Sequence, residues 1–257
     1  MLPSAIVAQG TKRKRAARTL DRALSKLGAG SRTEARAWIA KRRVAVNGRV
    51  VTDPLLWIDP STDDVALDGA SVRAAGRTYL LVHKPKGYLT TYRDPQGRKT
   101  VYDLLPQRDR YLFPVGRLDA DTSGLIIMTN DAAFAEALTN PAHGVPKTYL
   151  VKSSKVVTDE QLAKLASGVT LKDGPTRPAR VARPRGSASR SAFEITITEG
   201  RNRQVRRMVA ALGAKVQKLV RVAIGDLGIG DLPAGSVRPL LAEEVLRLAA
   251  PLSGHGK

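Results

Sequence analysis

Residues 116–131 read Gly116-Arg117-Leu118-Asp119-Ala120-Asp121-Thr122-Ser123-Gly124-Leu125-Ile126-Ile127-Met128-Thr129-Asn130-Asp131. The stretch sets a polar loop, punctuated by Gly116 and Gly124, between apolar runs at 111–115 and 125–128. Short apolar runs bounded by turn residues read as strands. An Arg and an Asp on a loop between strands are held by a rigid scaffold and free to face a ligand. Three other readings compete. As a calcium loop, Asp119, Asp121, Ser123 and Gly124 fall at ligand and turn positions, but Asn130 stands where a bidentate Glu is needed and the flanks are strand-like. As an Asp-x-Asp-x-Thr phosphotransferase loop, Thr122 comes one place early. As a plain structural turn, Asp119 would cap a backbone amide and pair with Arg117.

Working outward, further strands are expected at 79–83, 148–151, 193–198 and 216–222, and helices at 132–138, 159–166 and 203–212. Thr158 and Gln161 form a capping box for the second helix. Asn202 is placed to cap the third, which carries Val205, Met208, Val209 and Leu212 on one face and ends before Gly213. Strand runs interleaved with few helices predict an α+β domain over 79–250, built on a mainly antiparallel, mixed sheet. Ahead of it, residues 19–66 form a smaller unit. A helix through Leu20, Leu24 and Leu27 ends at Gly28; a second, through Ala35, Trp38 and Ile39, starts at a Ser31–Glu34 capping box. Asn47-Gly48 between Val44-Ala45-Val46 and Val50-Val51 predicts a hairpin, because both turn positions need positive φ. The small and polar residues at 67–78 read as a linker, residues 1–18 as a disordered basic arm and 251–257 as a tail.

The 257 residues carry a formal net charge of +20, and residues 1–50 hold 13 Lys or Arg against Asp21 and Glu34. Such clustering points to a polyanion, since neutralising phosphates releases counterions. Arg32, Arg36, Lys41, Arg42, Arg43 and Arg49, on or beside the second helix, are the candidate RNA contacts. The Arg-rich stretch 177–190 reads as a surface loop, either adding phosphate contacts or simply solvated. No apolar run approaches the roughly 20 residues of a membrane span. Cysteine is absent, which removes disulfides, thiolate metal sites and cysteine nucleophiles and fits the reducing cytoplasm. With aromatics only 4% of the chain, a broad base-stacking platform is excluded and recognition rests on backbone charge and RNA shape.

Two helices followed by a hairpin with a basic face resemble the RNA-binding domain named after ribosomal protein S-four. The order Gly-Arg-Leu-Asp-x-x-Thr-Ser-Gly-Leu, then Lys147-Thr148-Tyr149, then Glu199-Gly200-Arg201-Asn202-Arg203-Gln204-Val205-Arg206-Arg207-Met208, then Leu219-x-Arg221-x-x-x-Gly225, resembles the bacterial ribosomal RNA pseudouridine synthases of the small-subunit synthase A and large-subunit synthase B type. His83-Lys84-Pro85-Lys86-Gly87 is similar to that family's opening strand, with His83 where Asn is usual, and Ala132 stands where Gly is usual. The segment from Asp94 to Pro106 looks nearer to the large-subunit members.

The resemblance implies a cofactor-independent, metal-free isomerisation of uridine to pseudouridine. Asp119 is then the catalytic carboxylate, acting as a nucleophile on ribose or uracil or removing a sugar proton. Arg206 pairs with it and keeps its pKa down, and Tyr149 lies against the target uracil. Leu219 packs beneath the ring, Lys147 contacts substrate, and Arg117 fills the place vacated by the extruded base or holds a neighbouring phosphate. The partner implied is ribosomal RNA or a pre-ribosomal particle, met in the cytoplasm by a monomer. A non-catalytic RNA-binding or ribosome-assembly factor on the same fold is the alternative.

Overall fold

The computed structural model describes residues 17–73, 76–106, 111–184 and 189–250. The expected basic arm, apart from Ala17 and Arg18, and the tail lie outside them. The described residues divide into two compact units, one within Met1–Arg77 and Gln107–Leu112, the other within Thr78–Pro106 and Phe113–Lys257.

In chain order the first unit comprises β1 (Arg18–Thr19), α1 (Leu20–Lys26), α2 (Arg32–Ala40), β2 (Val44–Val46), β3 (Arg49–Val50), β4 (Trp57–Ile58), β5 (Val65–Leu67) and β6 (Ala70–Ser71). The capping box forms: the Ser31 hydroxyl accepts from the Glu34 amide at 3.2 Å, and Glu34 accepts from the Ser31 amide at 3.0 Å. Leu20, Leu24 and Ile39 meet Val44, Ile58 and Val65 in one core, each large aliphatic side chain contributing about 2 kcal/mol. At the expected hairpin, Asn47 and Gly48 adopt φ of 50° and 78°, joining β2 to β3. The chain then does what the linker reading missed. Asp68 and Gly69, at φ 52° and 80°, make a second turn of the same kind between β5 and β6, and the sheet runs β3-β2-β5-β6. The small residues after it had hidden an Asp-Gly hairpin signal. Tyr111 also differs from expectation: instead of opening a strand at 111–115, its amide donates to Gly28 O at 3.0 Å.

The second unit comprises β7 (Tyr79–Lys84), β8 (Phe113–Pro114), β9 (Ser123–Thr129), α3 (Ala132–Thr139), β10 (Lys147–Ser153), α4 (Asp159–Ser167), β11 (Thr170–Leu171), β12 (Gly174–Pro175), β13 (Arg180–Ala182), β14 (Ala192–Ile197), α5 (Gln204–Ala210), β15 (Val216–Ile224), β16 (Leu227–Gly228), β17 (Val237–Pro239) and α6 (Ala242–Ala249). Its sheet runs β13-β14-β10-β15-β9-β7-β17. Every neighbouring pair is antiparallel except β15 with β9, so the expected mixed, mainly antiparallel α+β class holds. Two cores flank that parallel seam. Val151, Phe193 and Ile195 pack with Leu165 of α4 and Met208 of α5, while Leu81, Leu125 and Ile127 pack with Phe134 and Leu138 of α3 and Leu248 of α6.

Two local expectations are corrected. Arg203, not Asn202, is the N-cap of α5, in the left-handed region at φ 48°, ψ 35° and with no side-chain capping bond. Part of the stretch at 177–190 is strand rather than loop: β13 pairs with β14. There Arg183 donates to Val157 O, to Arg190 O at 2.7 Å and to Asp159 at 2.9 Å. Residues 185–188 lie outside those described.

Candidate active site

A cleft of about 640 Å³ opens in the second unit, walled by the 115–122 loop, the start of β10, the 199–205 segment and the middle of β15. Each wall follows from local chemistry. The 118–122 loop hangs from the turn after β7: Thr90 Oγ1 donates to Leu118 O at 2.8 Å and accepts from the Leu118 amide at 3.2 Å, and the Gly87 amide donates to Ala120 O at 2.6 Å. That turn is in turn held by Lys84, whose fully buried ammonium donates to Pro85 O at 3.1 Å and Tyr88 O at 2.8 Å. Burial lowers the Lys84 pKa to about 8 against the opposing pull of Asp121 and Asp119, with Arg221 adding to the depression.

Of the sequence-predicted site residues, Asp119, Tyr149, Arg117, Leu219 and Lys147 all line the cleft. Arg206 does not. Its guanidinium sits 3.3 Å from Asp121 Oδ2 and donates to Asp121 O at 2.9 Å and Thr122 Oγ1 at 3.3 Å, so the expected Arg206–Asp119 pair is replaced by a clamp on the following residues of the loop. The cation nearest Asp119 is Arg203, at 3.5 Å, and it also holds Asp121 through two bonds of 3.2 and 2.9 Å. The reason is the start of α5: with Arg203 in the left-handed conformation its side chain swings to the loop, where two carboxylates spaced two residues apart share two arginines. Backbone strain of this kind collects where a side chain must be aimed.

Two carboxylates line the cleft, and they differ in what they are free to do. Glu199 is 7% exposed and accepts from the Arg177 amide at 3.0 Å, from Arg201 Nε at 3.1 Å and from Gln204 Nε2. Its lone pairs are spent on shaping the 199–204 wall. The Asp119 side chain is 33% exposed, accepts no hydrogen bond among the described residues and has only the longer ion contact to Arg203. It is the cleft carboxylate without a hydrogen-bond commitment among the described residues.

Across the cleft, Tyr149 on β10 pairs in register with Arg221 on β15. Leu219, two residues from Arg221 on that strand, shares its face. Tyr149 packs on the Leu219 core cluster, giving a flat apolar wall. The Lys147 pKa is lowered to about 8 by burial and then by Arg221. The roles of Arg203, Asp121, Lys84 and Arg221 were not assigned from the sequence. The signal for Arg221 was present in its spacing from Leu219; for the others only contacts distant in sequence reveal them. Among the described residues no group of His, Cys, Asp and Glu could hold a metal ion, and no helix is long and apolar enough to cross a membrane.

Known proteins resemble the chain over most of its length. Residues 78–211 match the family model described as RNA pseudouridylate synthase, and residues 18–54 match the S4 domain. The chain is 38% identical over 240 residues to ribosomal large subunit pseudouridine synthase B of Bacillus subtilis, covering 93% of this chain and 98% of that protein. It is 37% identical to an uncharacterised RNA pseudouridine synthase of Aquifex aeolicus, over 89% and 92% of the two chains. A solved pseudouridylate synthase superposes with a TM-score of 0.65 at 31% identity, covering 90% of this chain and 99% of that one. The chain thus belongs to the RNA pseudouridylate synthases, enzymes that isomerise uridine within RNA, and it carries an S4 RNA-binding domain at its N-terminal end.

Proposed function

We propose that this synthase isomerises a uridine of large-subunit ribosomal RNA, in the cytoplasm, on the RNA or a pre-ribosomal particle, with Asp119 as the reacting carboxylate and no cofactor. One observation supports the chemical assignment above the rest: Asp119 is the cleft carboxylate without hydrogen-bond commitments, facing the Tyr149 and Leu219 wall. That arrangement favours an enzyme over a non-catalytic assembly factor, which would need no unspent carboxylate. The substrate assignment rests on relatives such as the Bacillus subtilis protein, named for the large ribosomal subunit. In the isomerisation the bond from ribose C1′ to uracil N1 breaks, the ring turns, and a bond from C1′ to C5 forms; C5 gives up its hydrogen and N1 takes one, so nothing is oxidised. The ionised carboxylate of Asp119 acts on C1′ or on the ring, or takes the sugar proton. Tyr149 and Leu219 supply the surfaces for the extruded base, Arg206 and Arg203 fix the loop, and Arg117 meets the vacated place or the neighbouring phosphate. Mapping pseudouridines in cellular ribosomal RNA with and without the protein is expected to show one lost site in the large-subunit RNA. Loss confined to the small-subunit RNA would overturn the substrate, and no loss would overturn the function.

The RNA contacts of the first unit are sharpened by its ion pairs. Asp21 is fully buried and held by Arg32 at 3.0 Å and Arg36 at 2.9 Å. Burial alone would raise its pKa, but the hydrogen bonds from Thr19, Arg32 and Arg36 outweigh it and bring it to about 2. Arg43 is paired with Asp68. Lys41, Arg42 and Arg49 are exposed with no carboxylate partner among the described residues, so they are the cations available to phosphate. Replacing these three with Gln should lower the slope of log affinity against log salt by roughly 2 to 3, close to one per lost phosphate contact. Replacing Arg32 and Arg36 should instead destabilise the first unit, because it strands a buried carboxylate. A salt series and a melt on each variant separate the two effects.

A further inference from the structure

The cleft contains a second chemical feature that the reaction outlined above does not use. Arg221 is 4% exposed. Its Nε donates to Leu125 O at 2.8 Å, and among the described residues its Nη2 has no hydrogen-bond partner and the guanidinium no carboxylate within 4.0 Å. Lys147, on the neighbouring strand, also lines the cleft and has no carboxylate partner among the described residues. Arg221 and Lys147 both border the cleft with no carboxylate partner among the described residues, so the N–H groups on the cleft side of each are placed to meet acceptor oxygens.

Depth decides which oxygens. The RNA backbone remains at the mouth of a cleft that admits one extruded nucleotide, and the exposed cation Arg117, on the 116–122 loop, stands to meet it. The base goes deepest. Tyr149 is the register partner of Arg221, and Leu219 lies on the same face of β15, so a ring laid on that apolar wall has its edge toward Arg221 and Lys147. Uracil presents carbonyl oxygens on that edge. Cytosine presents an amino group in place of one of them, which would set donor against donor.

We infer that Arg221 and Lys147 form a receptor for the carbonyl oxygens of the extruded uracil and select uridine over cytidine. The inference rests on the proposed function, since it requires a base in this cleft. It is tested by binding. The Asp119→Asn protein is titrated against the RNA stem-loop that carries the mapped uridine and against the same stem-loop with cytidine at that position.

The expected result is a preference for uridine of at least about tenfold, abolished by adding Arg221→Met and reduced at least about threefold by adding Lys147→Met. The Arg221→Met protein should melt no lower than its parent, because the charge it removes is poorly satisfied. If that variant does not fold, Lys147→Met alone carries the comparison. Equal weakening toward both RNAs would make these residues phosphate contacts and overturn the inference, as would an unchanged preference. A wild-type protein that forms no pseudouridine in the stem-loop fails the earlier reading and takes this one with it; preserved synthesis with a preference unmoved by Arg221→Met fails this one alone.

Discussion

Asp119→Asn is expected to abolish pseudouridine formation, lowering the single-turnover rate by at least roughly 10⁴-fold, the scale on which removing a reacting group acts, while leaving the protein folded and bound to RNA. The separation of effects follows from the local geometry. The side chain is one-third exposed, accepts no hydrogen bond among the described residues, and touches Arg203 only at 3.5 Å; pairs of that kind contribute about 0 to 1 kcal/mol. The loop is held by other bonds, from Thr90 to Leu118, from Gly87 to Ala120 and from Arg206 to Asp121 and Thr122. None of them involves the Asp119 carboxylate, so an isosteric amide leaves the loop in place. The cations proposed to meet phosphate in the first unit are likewise untouched. The measurement is product formed per enzyme in a single turnover, with a melt and an affinity on the same sample. Equal product from both proteins would remove Asp119 from the chemistry, and a collapse in the melting temperature would show that its role is to hold the loop.

How the sequence and the structure divide the credit is clearest at this loop. The Gly-bounded polar segment between apolar runs is a pattern of contiguous sequence. The capping boxes at Ser31 and Thr158 and the Asn47-Gly48 turn are more local still: each depends on residues within four positions of one another, and each forms. The pairing of Arg206 is not local. Asp119 and Asp121 lie two residues apart on one loop, both within reach of α5, and only the left-handed backbone at Arg203 decides which arginine meets which carboxylate. The same limit applies in the first unit. Arg32 and Arg36 read as a basic face, because nothing nearby in sequence says that Asp21, 11 and 15 residues away, is buried beneath them. The missed hairpin at Asp68-Gly69 is a different case. Its signal was local, but the flanking strands are only two and three residues long, too short to show alternation.

Gly124→Ala is expected to destabilise the second unit by about 3 to 5 kcal/mol, at the top of the range for single substitutions, and to lower its melting temperature by about 10 °C. Gly124 has φ of +115°, and a Cβ there would lie 2.3 Å from Arg221 O and 2.5 Å from Arg221 N. Both contacts are to backbone, so no side chain can rotate away to relieve them. The clash falls on the one parallel pairing of the large sheet, where Gly124 stands in register with Arg221. Relief requires β9 and β15 to separate at that seam, which pulls Arg221 and Leu219 back from the cleft and breaks the bond from Arg221 to Leu125 O. Stability and activity should therefore fall together, unlike the Asp119→Asn result, where activity alone falls. Gly48 and Gly69 provide the control, since a Cβ at either meets nothing within 4 Å and Ala there costs about 1 kcal/mol for its positive φ alone. Denaturant unfolding of the three Ala variants ranks them. A Gly124→Ala midpoint no lower than that of Gly48→Ala would mean that the strands can part without cost, and the seam would then have no part in holding the cleft.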